Sequence, residues 1–174
     1  MKSLKSSMRP QDVVILLKII ANKGHEWFQI PLAEELSMSQ SEISESITRS
    51  RYARLVDSRG KRVNRMALME FLQYGLAYVF PQHPGPIVRG FATAHSAPPL
   101  NNIINSSEQY VWPSGKGDVR GQSIIPLYPS VVEAIKRDDE LYELLALADA
   151  IRVGRAREKE IAIQELRKRI LNGE

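Results

Sequence analysis

The 174-residue sequence contains no cysteine. This absence excludes disulfide bonds, cysteine-ligated zinc, iron–sulfur clusters and thiol nucleophiles. No apolar run approaches the roughly 20 residues of a membrane-spanning helix, so we expect no membrane association. The segment Met1–Pro10 is a basic lead-in to a helix rather than the pattern of a secretory signal. We therefore expect a cytoplasmic protein.

Motifs of catalysis and metal binding are also missing. The three histidines (His25, His83 and His95) have no helix-spaced partner and no adjacent carboxylate motif, so they predict no metal site. The sequence has no nucleophile-elbow pattern. Gly115-Lys116-Gly117 lacks the spacing of a phosphate-binding loop, and its flanks favour a hairpin. The sequence thus predicts a protein that is not an enzyme and needs no cofactor.

The positive charge is concentrated at one end of the chain. Residues 1–65 contain 12 Lys and Arg against 7 Asp and Glu, whereas residues 129–174 contain 9 against 10. Within residues 49–65 there are seven cations and one acid, Asp57. Such a cluster is typical of a protein that binds a polyanion, although a solvated face is the simpler alternative.

Three segments differ in composition. Residues 81–129 contain eight of the ten prolines and five of the ten glycines, and they lie between two segments with helical periodicity. Tyr110–Trp112 and residues 119–125 flank a glycine-rich tip and predict a β-hairpin, and residues 87–91 predict a short strand. We expect a mainly α protein with small β elements (α+β), divided into residues 1–80, 81–129 and 130–174.

Local signals predict the first three helices. Pro10 suits the first turn of a helix that runs to about Asn22 and is apolar nearly all round, which indicates a central helix. A short helix is predicted from about Pro31 to Ser37. Ser39 and Glu42 form a capping-box pattern at the start of a third helix, which reaches Tyr52 or Ala53.

Two short helices joined by a tight turn, the second with a polar outer face, form a helix-turn-helix pattern. Residues 30–56 resemble the DNA-binding core of MarR-like winged-helix regulators. Ser50 and Arg54 depart from that pattern, because the family usually has leucine and glycine there. The matching positions are Leu32, Ala33, Leu36, Met38, Ser39, Ser41, Ile43, Ser44, Leu55 and Val56.

The resemblance implies a winged helix-turn-helix domain over residues 1–80. Its wing would be the hairpin 56–63, in which Gly60 can adopt a positive φ. Asn64 can then cap a helix over residues 65–79. The apolar stripe of that helix predicts a core-facing surface, part of which could serve dimerisation.

The predicted interface has two parts. The outward residues of the third helix are candidates for reading bases, because their amide, carboxylate, hydroxyl and guanidinium groups match base edges. For Glu45 the alternatives are reading cytosine, pairing with Arg49 or lowering affinity. On the wing, Arg59, Lys61 and Arg62 are candidates for phosphate contacts. The base-reading candidates are Gln40, Ser41, Ser44, Glu45, Thr48 and Arg49.

The C-terminal segment predicts further helices. Ser130 and Glu133 form a second capping-box pattern, Asp138 or Asp139 caps the next helix, and Arg155 to Asn172 forms another. These helices can pack on the core, dimerise or bind a partner protein. We expect a transcriptional regulator that binds double-stranded DNA as a homodimer. The alternative is a protein-interaction module of the antitoxin or adaptor type, with the winged helix as scaffold.

Overall fold

The computed structural model describes residues 7–173 and shows a mixed α and β architecture. Most of the predicted basic lead-in lies outside this range. The described part contains three strands, β1 (Ile87–Ala92), β2 (Tyr110–Pro113) and β3 (Val119–Ser123). It also contains eight α-helices, α1 (Pro10–Ala21), α2 (Gln29–Leu36), α3 (Gln40–Tyr52), α4 (Arg65–Tyr74), α5 (Leu76–Val79), α6 (Val131–Ala134), α7 (Asp139–Val153) and α8 (Ala156–Leu171).

Helix α1 lies at the centre of the molecule, as its apolar sequence predicts. Its residues Val13 to Leu17 are fully buried, and the helix contacts both α3 and α7. A helix that is apolar on all faces can be stable in water only when neighbours cover every face. One hydrophobic core therefore includes residues from all three compositional segments.

The start of α3 and the start of α4 are confirmed as predicted. The Ser39 hydroxyl accepts a hydrogen bond from the Glu42 backbone N–H (3.2 Å), and the Glu42 carboxylate accepts one from the Ser39 N–H (3.1 Å). The Asn64 side chain accepts a bond from the Ala67 N–H (3.2 Å). These caps satisfy backbone donors that have no partner inside the helix.

The prediction of one helix over residues 65–79 was wrong. The helix ends at Gly75, where the backbone has φ −117°, and a separate short helix α5 follows. Met69, Leu72 and Leu76 are buried as the stripe predicts, whereas Met66 and Val79 are each more than half exposed. Gly75 has little helix propensity, so an interruption of the helix is favoured at this residue.

The three strands close on one another, because each of them pairs with both of the others. Strand β1 is antiparallel to β2 and β3, but β2 and β3 are parallel, with Tyr110 opposite Gln122. The predicted hairpin is therefore wrong. A Cβ on Gly117 would lie 2.1 Å from the Gly90 carbonyl oxygen. Glycine is needed at residue 117 because the backbone of β1 approaches it closely there, not because residue 117 forms the tip of a hairpin.

The C-terminal helices complete the core. Asp138 caps α7 by accepting a bond from the Leu141 N–H (2.9 Å), which confirms that expectation. Ser130, however, makes no side-chain cap bond, and its buried hydroxyl has no partner in the described residues. The predicted capping box at Ser130 is wrong because its backbone is already helical (φ −73°, ψ −6°) rather than extended.

A buried polar network joins the middle segment to α7. The Asp149 carboxylate accepts hydrogen bonds from the Thr93 hydroxyl (2.7 Å), the Trp112 indole N–H (2.6 Å) and the Arg152 guanidinium (2.9 Å). Arg152 also donates to the carbonyl of Phe80 (2.9 Å). Burial raises the pKa of Asp149, although these partners favour the charged form.

Within residues 7–173, none of the helices is both long and apolar enough to cross a bilayer.

Candidate nucleic-acid interface

Helix α3 presents one polar, exposed face. Five of the six predicted base-reading residues lie on it, while Ile43 and Ile47 on the opposite side are buried. The Thr48 hydroxyl donates to the Ser44 carbonyl (3.0 Å), so part of its hydrogen-bonding capacity is used within the helix. The five exposed residues are Gln40, Ser41, Ser44, Glu45 and Thr48.

Arg49 is not on this face, so its prediction as an outward base-reading residue is corrected. Its Nε and Nη2 donate to the two Asp12 carboxylate oxygens (2.9 and 2.7 Å), and the side chains are 5% and 0% exposed. This hydrogen bonding raises the pKa of Arg49. The pair links α1 to α3, because residue 49 faces inward. The sequence does contain an indication of this pair: Asp12 is the single acid in the first turn of a helix that is largely apolar, which indicates that a cation is buried beside it.

Glu45 lies near Arg49, which agrees with the alternative that the two side chains pair. Its carboxylate lies 3.8 Å from the Arg49 Nη1, one helical turn away. The Glu45 side chain is still 67% exposed. Because Asp12 already binds the guanidinium with both oxygens, Glu45 is free to accept a further donor from a ligand.

The basic loop, residues 57–62, follows α3. Val56 and Val63 form an antiparallel bridge, and Gly60 has φ +69° as predicted. The Asp57 carboxylate accepts bonds from the backbone N–H groups of Lys61 (2.8 Å) and Arg62 (3.1 Å), which lower the pKa of Asp57. The only acid of the cluster thus holds the loop together.

Aromatic side chains support one side of the basic loop. The Trp27 indole N–H donates to the Lys61 carbonyl (2.8 Å), and the Lys61 Nζ lies 5.2 Å from the Trp27 ring centroid and 5.8 Å from that of Phe28. Cation–π contact restrains this amine. Arg59 and Arg62 are exposed, and no carboxylate of the described residues lies within 4.0 Å of either guanidinium.

An open cleft of about 600 Å³ separates the end of α3 from the basic loop. Arg51, Arg54 and Arg62 line it. Arg54 has φ +63°, a left-handed conformation that favours glycine. The arginine therefore keeps the turn shape that glycine would give at this position, and it adds a cation to the cleft.

A tyrosine from the middle segment contacts the first turn of α3. The Tyr128 hydroxyl donates to a Glu42 carboxylate oxygen (2.5 Å), which lowers the pKa of Glu42 and raises that of Tyr128. The contact joins residues 86 positions apart. No local pattern marks Tyr128, so sequence reasoning missed it.

In residues 7–173 no group of three or more histidine, aspartate or glutamate side chains is arranged to hold a metal ion. No family model, curated protein or solved structure matches the chain. The functional conclusion therefore rests on the exposed face of α3, the basic loop and the cleft between them.

Proposed function

We propose that this protein is a cytoplasmic transcriptional regulator that binds double-stranded DNA through a winged helix-turn-helix. In this proposal α2 and α3 are the helix-turn-helix and the basic loop is the wing. The observation that carries it is the polar, exposed face of α3 beside a cleft lined by three arginines. A helix of this kind fits the major groove, where base edges present distinct donors and acceptors.

The exposed face of α3 has the groups needed to read bases. The Gln40 amide can pair bidentately with adenine, and the Glu45 carboxylate can accept from the cytosine amino group. Ser41 and Ser44 offer hydroxyls that serve as donor or acceptor. Arg49 supplies no base contact in this proposal, because it is bound to Asp12; it sets the position of α3 against α1 instead.

The arginines beside α3 supply the phosphate contacts. Arg51, Arg54, Arg59 and Arg62 are exposed. Cations near the phosphates release condensed counterions, which makes binding strongly salt-dependent. The left-handed backbone of Arg54 favours a functional role, because strained backbone conformations cluster at functional sites. Lys61 contributes from its position over Trp27.

A homodimer would allow the protein to read two half-sites. Tyr74, Tyr78 and Val79 are exposed apolar side chains on α4 and α5, with Tyr78 83% exposed. Exposed apolar patches are typical of interaction surfaces. The same observation favours a second candidate, a protein-interaction module of the antitoxin or adaptor type, in which these residues bind another protein and the winged helix serves as scaffold.

The test is selection from a random duplex library with the purified protein at moderate and at high salt. We expect an enriched motif at moderate salt, and a palindromic one if two copies bind. Gln40→Ala should reduce the discrimination between the preferred base and the other bases at one position of the motif by about 1–3 kcal/mol. The matched control is Gln164→Ala on α8, an exposed glutamine remote in sequence from α3, which should leave the motif unchanged.

Two outcomes would contradict the proposal. Failure to retain duplex DNA at moderate salt would remove DNA binding altogether and favour the protein-interaction module. Retention without any motif, unaffected by Gln40→Ala, would remove the base-reading role of α3. A complex with another protein that resists high salt but is abolished in Tyr78→Ser would support the second candidate, since a hydrophobic interface is not screened by salt.

A further inference from the structure

A pair of arginines lies on the three-stranded sheet, outside the interface described above. Arg89 in β1 is directly opposite Arg120 in β3, in antiparallel register. Directly opposite residues of neighbouring strands point to the same side of a sheet, with Cβ atoms about 4.5–5.5 Å apart. Arg89 and Arg120 are both exposed. The two arginine side chains therefore leave the sheet on the same side from directly opposite positions.

No carboxylate within residues 7–173 neutralises this pair. Neither Arg89 nor Arg120 takes part in a salt bridge, although twelve such contacts occur in that part of the chain. Like charges directly opposite each other destabilise a sheet. An anion bound between the two arginines would remove this repulsion.

The register cannot shift to separate the arginines. A Cβ on Gly90 would lie 1.9 Å from the Trp112 carbonyl oxygen, and one on Gly121 would lie 2.5 Å from the Gln109 carbonyl oxygen. Only glycine tolerates these approaches, and a slip by one residue would place a side chain there. Residues 90 and 121 are the direct neighbours of Arg89 and Arg120, so the fold fixes the two arginines in opposite positions on β1 and β3.

Two contacts relate strand β1 to the start of α3 through residues 128–136. Phe91 lies two residues beyond Arg89, on the same face of β1, and the Lys136 Nζ is 5.8 Å from its ring centroid. The segment that carries Lys136 follows Tyr128, which is hydrogen-bonded to Glu42 in the first turn of α3. The basic loop follows the opposite end of the same helix.

We propose that Arg89 and Arg120 bind the phosphate backbone of DNA that flanks the site read by α3, beyond the end of the helix that Tyr128 contacts. The inference rests on the proposed function, and it extends the footprint of the protein from one basic surface to two. Charge complementarity selects the ligand: two adjacent guanidinium groups match successive phosphate oxygens of a nucleic-acid strand.

The experiment measures affinity for two duplexes over a range of salt concentrations. One duplex is the motif selected from the random library, trimmed to its ends, and the other is the same motif extended by about one helical turn, roughly 10 bp, on each side. We expect wild-type protein to bind the extended duplex more tightly and with a steeper salt dependence. Each phosphate contact should add about 0.9 to the slope of log affinity against log salt.

Arg89→Glu is the decisive variant. It should raise the midpoint temperature of thermal unfolding, because it places a carboxylate opposite Arg120. It should also abolish the increase in affinity that wild type shows for the extended duplex over the trimmed one. Weaker binding together with increased stability cannot be attributed to unfolding. The matched control is Arg157→Glu, an exposed arginine on α8 that forms no salt bridge in the described residues, which should keep the gain.

The outcomes separate this inference from the proposed function. If wild type binds the extended duplex no more tightly than the trimmed one, and Arg89→Glu behaves in the same way, the inference is overturned while the role of α3 stays intact. This result would then favour an acidic protein surface as the ligand of the pair. If wild type binds neither duplex, the proposed function fails and the inference fails with it.

Discussion

The C-terminal segment and the stretch from Arg51 to Arg62 both carry many cations, but only the C-terminal segment pairs some of them with acids. Arg152 binds Asp149, Arg155 binds Glu108 and Arg169 binds Glu143. In the second region no carboxylate of the described residues lies within 4.0 Å of a cation between residues 51 and 62.

This difference separates cations that serve the fold from cations that are available to a ligand. A count of charges along the sequence does not reveal this difference. Residues 129–174, which contain the C-terminal helices, have 9 Lys and Arg, and residues 1–65, which contain the second region, have 12. Arg49 shows that even the basic cluster contains both kinds, because Asp12 neutralises it in the interior. A run of cations that all lack a carboxylate partner, rather than the number of charges, distinguishes the candidate interface.

The largest expected effect comes from breaking a buried pair. Asp149→Ala should destabilise the protein by about 3–5 kcal/mol, because it leaves the Arg152 guanidinium buried without its carboxylate. Urea unfolding measures the change. The control is Glu108→Ala, which removes the partner of Arg155 at an exposed site and should cost less than about 1 kcal/mol. Similar destabilisation in both variants would contradict the distinction between buried and exposed pairs.

The unpaired arginines should affect binding rather than stability. The double variant Arg59→Ala/Arg62→Ala should weaken binding to all duplexes alike and lower the salt slope by about 0.9 for each phosphate that an arginine no longer neutralises. Its free energy of unfolding should change by no more than about 0.5 kcal/mol. The matched variant Arg167→Ala/Lys168→Ala removes two cations from α8. If it lowers the salt slope as much, the basic loop is not the interface.

A substitution at Arg54 tests whether its strained backbone conformation is accompanied by a role of its positive charge in DNA binding. Arg54→Gly should stabilise the protein by up to about 1 kcal/mol, because glycine adopts φ +63° without a steric cost. The same substitution should weaken DNA binding by removing a cation from the cleft. Unfolding curves and binding isotherms of one preparation measure both. A variant that is more stable and binds equally well would show that the Arg54 side chain has no role.

The contact between Tyr128 and α3 should have a small effect that depends on pH. Tyr128→Phe should cost about 0.5–1.5 kcal/mol at neutral pH, the net value of one hydrogen bond. Because the pKa of Glu42 lies below its ordinary 4.5 in the folded state, this stabilisation is complete above pH 4.5 and disappears as the pH falls through the folded pKa. Urea unfolding at neutral and at acid pH should therefore show a difference between wild type and variant that vanishes in acid.

Features that depend on neighbouring residues were predictable from the sequence. The caps at Ser39, Asn64 and Asp138 formed as expected, because a cap joins groups three residues apart. The bridge between Val56 and Val63 and the positive φ of Gly60 follow from the same short-range logic. Ser130 is the exception, since its backbone is helical and leaves no place for a cap.

Features that depend on distant residues were not predictable in this way. The inward position of Arg49 requires Asp12, 37 residues earlier, and the contact of Glu42 requires Tyr128, 86 residues later. The glycines of residues 115–121 match a hairpin locally, but β2 and β3 are parallel and Gly117 lies against Gly90 of β1. The like-charged pair of Arg89 and Arg120 arises from the same closure of the sheet.

The sequence alone determined the apolar central helix, the position and polarity of α3, the caps and the concentration of positive charge in the first third of the chain. These properties are set by the order of residues over a few turns of backbone. Only the tertiary structure decided which cations stay unpaired. An arginine is neutralised when packing brings a carboxylate to it, and packing joins residues regardless of their separation along the chain.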